Sequence, residues 1–144
     1  MQKGSKNRNK QRIKVAKIHE HISNCRKDFC HKLSHKLSDK YDYICLEDIN
    51  LHGMAQALHL GKSTNDNGFG MFRQFLSYKM FEKGKQLIKI DKWFPSSKMC
   101  HICGCINSDL KLSDRVWICD CGAILNRDQN AAINIRTVGL SQTQ

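Results

Sequence analysis

WICDCGAILNRDQNAAINI, residues 117–135, holds the second half of a cysteine pattern and the run that follows it. The first half lies upstream in FPSSKMCHICG (94–104). Read together they give Cys100-x-x-Cys103, fifteen residues, then Cys119-x-Cys121, with Gly104 and Gly122 directly after the two pairs. Two such pairs predict a structural Zn2+ held by Cys100, Cys103, Cys119 and Cys121, because tetrahedral zinc takes four thiolates and then has no open position. A glycine after each pair frees the backbone to donate toward sulfur. The one-residue spacer of the second pair is tighter than usual, and His101 and Cys105 lie close enough to substitute. Strand-like Val116-Trp117-Ile118 entering the second pair predicts a zinc ribbon over 93–125. Asp128 follows the last cysteine by seven residues, and a metal-clamped finger directly before a carboxylate points to nucleic-acid chemistry.

Outward from this centre, Asp128–Val138 reads as a helix with Ala132, Ile135 and Val138 on one face, stopped by Gly139 and followed by a polar tail, 140–144. Upstream, Tyr41–Leu46 and Gln86–Asp91 read as short buried strands, the first with Glu47 at its C-terminal end. A helix is expected over 68–83 and a mobile loop over 50–67, where Gly, Ser and Asn gather. Ile18, Ile22, Cys25, Phe29, Leu33 and Leu37 recur at steps of three and four and predict one long amphipathic helix, about residues 11–39. Residues 2–12 have no apolar side chain and are expected to be disordered unless bound to phosphate. Cys25, Cys30 and Cys45 fall on apolar positions and are expected in the core. Trp93, Phe94 and Trp117 flank the finger and are expected to pack on it rather than stack on bases. His19, His21, His31 and His35 are expected on a helix surface.

The chain of 144 residues carries a net charge of +11, and residues 1–40 account for +9 of it. Lys3, Lys6, Arg8, Lys10, Arg12, Lys14 and Lys17 are concentrated at its start, which favours a polyanionic partner, nucleic acid above all. No signal peptide and no apolar run of membrane length are visible, so a cytoplasmic, reducing compartment with no membrane partner is expected. There, paired cysteines mean metal rather than disulfides.

Element ends are common places for capping acids, so Glu47 and Asp128 are weak candidates on pattern alone. Four stretches change that weighting: KGSKNRNKQRIKVAKIHEHISNCRKDFCHKLSHKL (3–37), YDYICLEDIN (41–50), 94–104 and 117–135. They resemble the C-terminal portion of the TnpB (OrfB) family of transposon-encoded proteins, relatives of the type V CRISPR effectors. The resemblance implies an α/β fold: a partial RNase H-like, RuvC-like nuclease domain (1–92 and 126–139) lacking its first strands, with an inserted four-cysteine zinc ribbon. It implies RNA-guided, Mg2+-dependent DNA cleavage by an Asp, a Glu and an Asp. By motif, Glu47 in LEDIN is the Glu and Asp128 before xNAA is the last Asp. Family members usually have an acid where this chain has Asn126. The first Asp, in a motif resembling GIDLG, has no match here, and Asp42, Asp48 and Asp91 are expected as surface or strand-end acids. The expectation is an N-terminally truncated member that binds DNA, with guide RNA and a separate N-terminal segment as further partners, and does not cleave alone. The alternative is a non-catalytic zinc-ribbon regulator that binds nucleic acid through residues 1–40.

Overall fold

The structure, a computed structural model, describes residues 4–50 and 68–143. The expected loop 50–67 and Lys3 lie almost wholly outside them. The elements are α1 (Lys6–Lys40), β1 (Tyr43–Glu47), α2 (Phe69–Glu82), β2 (Gln86–Ile90), β3 (Val116–Ile118), β4 (Ile124–Asn126) and α3 (Arg127–Ser141). The described residues form two compact units: residues 4–40 with 68–83, and residues 41–50 with 84–143.

In the first unit α1 packs on α2. Helix α1 begins five residues earlier than its apolar pattern suggested, and so takes in most of the segment expected to be disordered. Ser5 explains this: its Oγ accepts from the Arg8 N–H at 3.3 Å, and Lys, Arg and Gln then propagate the helix. The buried seam also differs from the expected stripe. Ile18, Ile22 and Phe29 are exposed, whereas Cys30, Ser34 and Ser38 are buried. Two physical causes operate. Helix α2 has 14 residues against 35 in α1, so it can cover only part of the longer helix. Small side chains one helical turn apart let it approach closely. Cys25, expected in the core, is exposed and lies 3.5 Å from His21 Nε2. Cys30 is buried and Cys45 half-buried.

Leu76 and Met80 of α2 supply the apolar contact. His31 stacks on Phe75 with ring centroids 3.8 Å apart. Lys79 is buried in the seam, its Nζ donating to the His31 carbonyl at 2.6 Å and to Ser34 Oγ at 2.8 Å. Burial pulls its pKa down, and the neighbouring Lys83 adds to that. Ser34 has no exposed surface. Ser34→Leu is therefore expected to overpack this seam and cost about 1–3 kcal/mol, read as a lower midpoint in thermal melts of the helical circular dichroism.

In the second unit β1 and β2 form a two-stranded parallel sheet in register from Tyr43↔Gln86 to Glu47↔Ile90. Helix α3 packs on both strands. The face expected from Ala132, Ile135 and Val138 is not the one most deeply set: the buried positions are Asn130, Asn134 and Gly139. Gly139 is buried because a Cβ there would lie 2.4 Å from Cys45 Sγ. Between β2 and α3 the chain builds a small module around Cys100, Leu110, Trp117, Cys119 and Leu125. Antiparallel β3 and β4, paired Val116↔Asn126 to Ile118↔Ile124, carry its second half.

Candidate functional site

The four cysteines converge. The sulfurs of Cys100, Cys103, Cys119 and Cys121 all lie within 4.8 Å of one another, with Cys100–Cys121 at 3.9 Å and Cys103–Cys119 at 3.5 Å. Sulfurs bound tetrahedrally at about 2.3 Å from zinc would sit about 3.8 Å apart, so the donor set fits such an ion before any adjustment. His101 and Cys105, the possible substitutes, are outside the cluster.

Local backbone geometry builds each half. Gly104 and Gly122 have φ of +78° and +86°, left-handed values that a side chain would resist. Their N–H groups donate back to the Cys100 carbonyl at 2.9 Å and the Cys119 carbonyl at 2.8 Å, closing each cysteine turn. The surroundings act in opposite directions on two of the thiols. Burial pushes the Cys100 thiol up, but hydrogen bonds from the Cys103 and Ile102 backbone and from neighbouring thiols bring it to about 7. The Cys121 backbone N–H pulls Cys119 down, but burial and the other three sulfurs push it up to about 12. Four crowded sulfurs cannot all lose their protons alone, and a bound cation removes that obstacle.

Trp117 is buried in the module, as expected, and Phe94 is half-buried, while Trp93 is 80% exposed with Lys92 Nζ 5.0 Å from its ring. The four helix histidines are also surface or packing residues: besides the His31–Phe75 stack, His35 lies 3.3 Å from Asp39.

Both candidate carboxylates belong to this unit. Glu47 ends β1, half-buried, and accepts a hydrogen bond from Ser96 Oγ. Asp128 lies in the first turn of α3, where the helix dipole favours a negative charge. Its side chain is 70% exposed and faces Arg115 and Arg127, each at 3.4 Å, contacts that solvent screens heavily. Among the described residues, the four cysteines are the only converging group of three or more metal-ligating side chains. Asp42 pairs with Lys85 at 3.3 Å, Asp48 lies 4.0 Å from Lys89, and Asp91 Oδ1 accepts from the Trp93 N–H at 2.9 Å.

Asn126 caps α3. Its side-chain oxygen accepts from the N–H groups of Asp128 and Gln129, both at 3.1 Å. Asn126→Ala is expected to cost about 1 kcal/mol in urea unfolding of the metal-loaded chain. The basic residues sit on α1, where Lys6, Lys10, Lys14 and Lys17 follow the spacing of one helix face and Arg8 and Arg12 fall on another.

Three residues in this unit carried no functional reading in the sequence: Ser96, Asn130 and Asn134, all buried. Asn134 Nδ2 donates to the carbonyls of Ser96 (2.8 Å) and Met99 (2.6 Å). Asn130 Nδ2 donates to the Met99 carbonyl (2.7 Å), and its Oδ1 accepts from the His101 N–H (3.0 Å). The available signal was two asparagines four residues apart in a helix otherwise rich in alanine and isoleucine.

Comparison with known proteins agrees with this layout. Residues 1–58 match the OrfB IS605 family profile, described as "Probable transposase", and residues 69–135 match the "Cas12f1-like, TNB domain" profile. A "Putative RNA-guided DNA endonuclease" of Streptomyces pristinaespiralis is 42% identical over 139 residues, covering 96% of this chain and 35% of the relative. These profiles and relatives are those of the TnpB/OrfB family. Other relatives bearing such names are more distant. A TnpB-like protein of Acanthamoeba polyphaga mimivirus is 30% identical over 94% of this chain and 27% of its own length. Escherichia coli InsQ, named a "Putative RNA-guided DNA endonuclease", is 29% identical over 95% of this chain and 38% of its own length. The chain thus spans about a third of the length of these relatives. Its fold is shared with Cas12f1, solved in a complex with sgRNA and target DNA, at a TM-score of 0.65 and 20% identity over 88% of this chain and 38% of that one. Among the described residues, no helix is long and apolar enough to cross a membrane.

Proposed function

We propose that this chain is the C-terminal part of an RNA-guided, Mg2+-dependent DNA endonuclease and does not cleave by itself. In this reading residues 1–92 and 126–139 belong to a RuvC-like, RNase H-like nuclease domain, and 93–125 are a zinc ribbon set into it. Cys100, Cys103, Cys119 and Cys121 hold a structural Zn2+. Glu47 and Asp128 are two of three carboxylates for catalytic Mg2+, which when bound would activate water and stabilise charge on the phosphate. DNA and a guide RNA are the partners, and the lysine face of α1 is a phosphate contact surface.

One observation supports this reading most: a carboxylate held at the C-terminal end of β1 and another in the first turn of α3, the helix packed on that strand. Strand ends and helix starts are where an α/β fold aims side chains at a shared point. The chain's own residues supply orientation, through Ser96 on Glu47 and through the capped helix start at Asp128.

The test is complementation. The segment of the Streptomyces relative that precedes its match to this chain is fused in front of it and assayed on guide-matched DNA with Mg2+. Cleavage is expected from the chimera and none from the 144-residue chain. Glu47→Ala and Asp128→Ala should each lower the rate by about a thousandfold, the loss of several kcal/mol of metal-borne stabilisation. A chimera whose cleavage survives both substitutions would instead leave the non-catalytic binder as the reading. Binding alone does not discriminate, because affinity falls with salt in either case.

A further inference from the structure

The buried polar residues Ser96, Asn130 and Asn134 connect the cysteine module to Glu47. Asn130 and Asn134 are 1% and 3% exposed, so their amides need partners inside the protein. They find them on one turn of chain, the carbonyls of Ser96 and Met99 and the N–H of His101. Met99 and His101 flank Cys100, so this clamp grips the first cysteine turn on both sides of a sulfur donor. The turn is closed by its own backbone as well, with the N–H groups of Lys98 and Met99 donating to the Pro95 carbonyl at 3.0 and 2.9 Å. Ser96 sits inside that closed turn, 6% exposed, and its hydroxyl donates to the Glu47 carboxylate.

We propose that Ser96 is a positioning residue for Glu47, and that Asn134, with Asn130, fixes Ser96 to the first cysteine turn. The cysteine module then sets the direction of a carboxylate on the sheet. A carboxylate at a strand end has several rotamers of similar energy, and one buried donor of fixed position selects among them. The catalytic consequence rests on the reading of Glu47 as a metal ligand, whereas the positioning itself does not.

The experiment is NMR on the zinc-loaded 144-residue chain, with three-bond couplings reporting χ1 and χ2 of Glu47. One rotamer is expected in the wild type. Ser96→Ala should give averaged couplings while zinc stoichiometry and the α3 backbone shifts stay unchanged. Ser96→Thr, which keeps the hydroxyl, should restore the single rotamer. Asn134→Ala should average Glu47 with zinc still bound. An unchanged single rotamer in Ser96→Ala would overturn the proposal, and the same result in Asn134→Ala would overturn the role of the clamp. If Ser96→Ala does not fold, the wild type decides. A slowly exchanging Ser96 hydroxyl proton with an Overhauser effect to the Glu47 γ-protons supports the proposal, and a freely exchanging one overturns it. Added Mn2+ tests the other premise separately. Paramagnetic broadening at Glu47 and Asp128 supports the ligand reading. Broadening at neither removes that reading and leaves the coupling result to stand alone.

Discussion

Chelating the metal from the four-cysteine module is expected to unfold residues 99–125 while leaving the α1–α2 packing intact. The module cannot hold itself together through its own core. Its buried apolar set is Cys100, Leu110, Trp117, Cys119 and Leu125, and two of those five belong to the four-cysteine cluster. Its strands are three residues long. Modules of this size need a staple, and thiolate zinc supplies about 10–16 kcal/mol of folding free energy in comparable peptides. Trp117 reports the event directly: it is 7% exposed in the fold and would enter water, shifting its emission to the red. Trp93 is already 80% exposed and adds a constant background. Cys100→Ser should behave as the chelated protein does. Acid should act in the same direction. Zinc binds the sulfurs only without their protons, so falling pH returns protons to them and releases the metal. Metal-free protein whose Trp117 emission stays unchanged would refute this.

Gly139→Val is expected to destabilise the second unit by about 3 kcal/mol, at the upper end of overpacking costs. The helix backbone at Gly139 runs directly over β1. A Cβ there would lie 2.4 Å from Cys45 Sγ and 2.8 Å from Cys45 Cβ. The first clash is with a side-chain tip, but the second is with an atom fixed to the strand, so α3 must lift. Alanine meets the same two atoms and regains about 1 kcal/mol of helix propensity over glycine, so Gly139→Ala should be milder. Cys45→Gly removes both atoms and should recover part of the loss. A double-mutant cycle by urea unfolding of the metal-loaded chain should show coupling of about 0.5–3 kcal/mol. Equal costs of Gly139→Val with and without Cys45 would show that the close approach is not the cause.

Cysteine spacing was legible from the sequence, because a tight turn with glycine after the second sulfur is a local device: Cys100, Cys103 and Gly104 need no distant partner to take their shape. The strands at 43–47 and 86–90 and the helix at 69–82 were legible for the same reason, through runs of β-formers and helical periodicity. The apolar pattern of α1 misled. Ile18, Ile22 and Phe29 have the right spacing to be buried, but burial depends on what α2 reaches, and the seam is Cys30, Ser34 and Ser38. Likewise α3 buries Asn130, Asn134 and Gly139 rather than its alanine, isoleucine and valine positions, because a turn 31–38 residues away presents carbonyls to be met and β1 leaves no room for a Cβ.

The sequence by itself therefore determined most of the elements, the two cysteine turns and the basic character of α1, all set by interactions within a few residues, although α3 runs on through Gly139, the expected stop, to Ser141. Only the tertiary structure decided which faces are buried and which groups meet, including the contact between Ser96 and Glu47, 49 residues apart. Periodicity specifies that a helix has faces. Which face is buried, and what a strand-end carboxylate touches, is set by the shape and hydrogen-bonding needs of a partner that arrives from elsewhere in the chain.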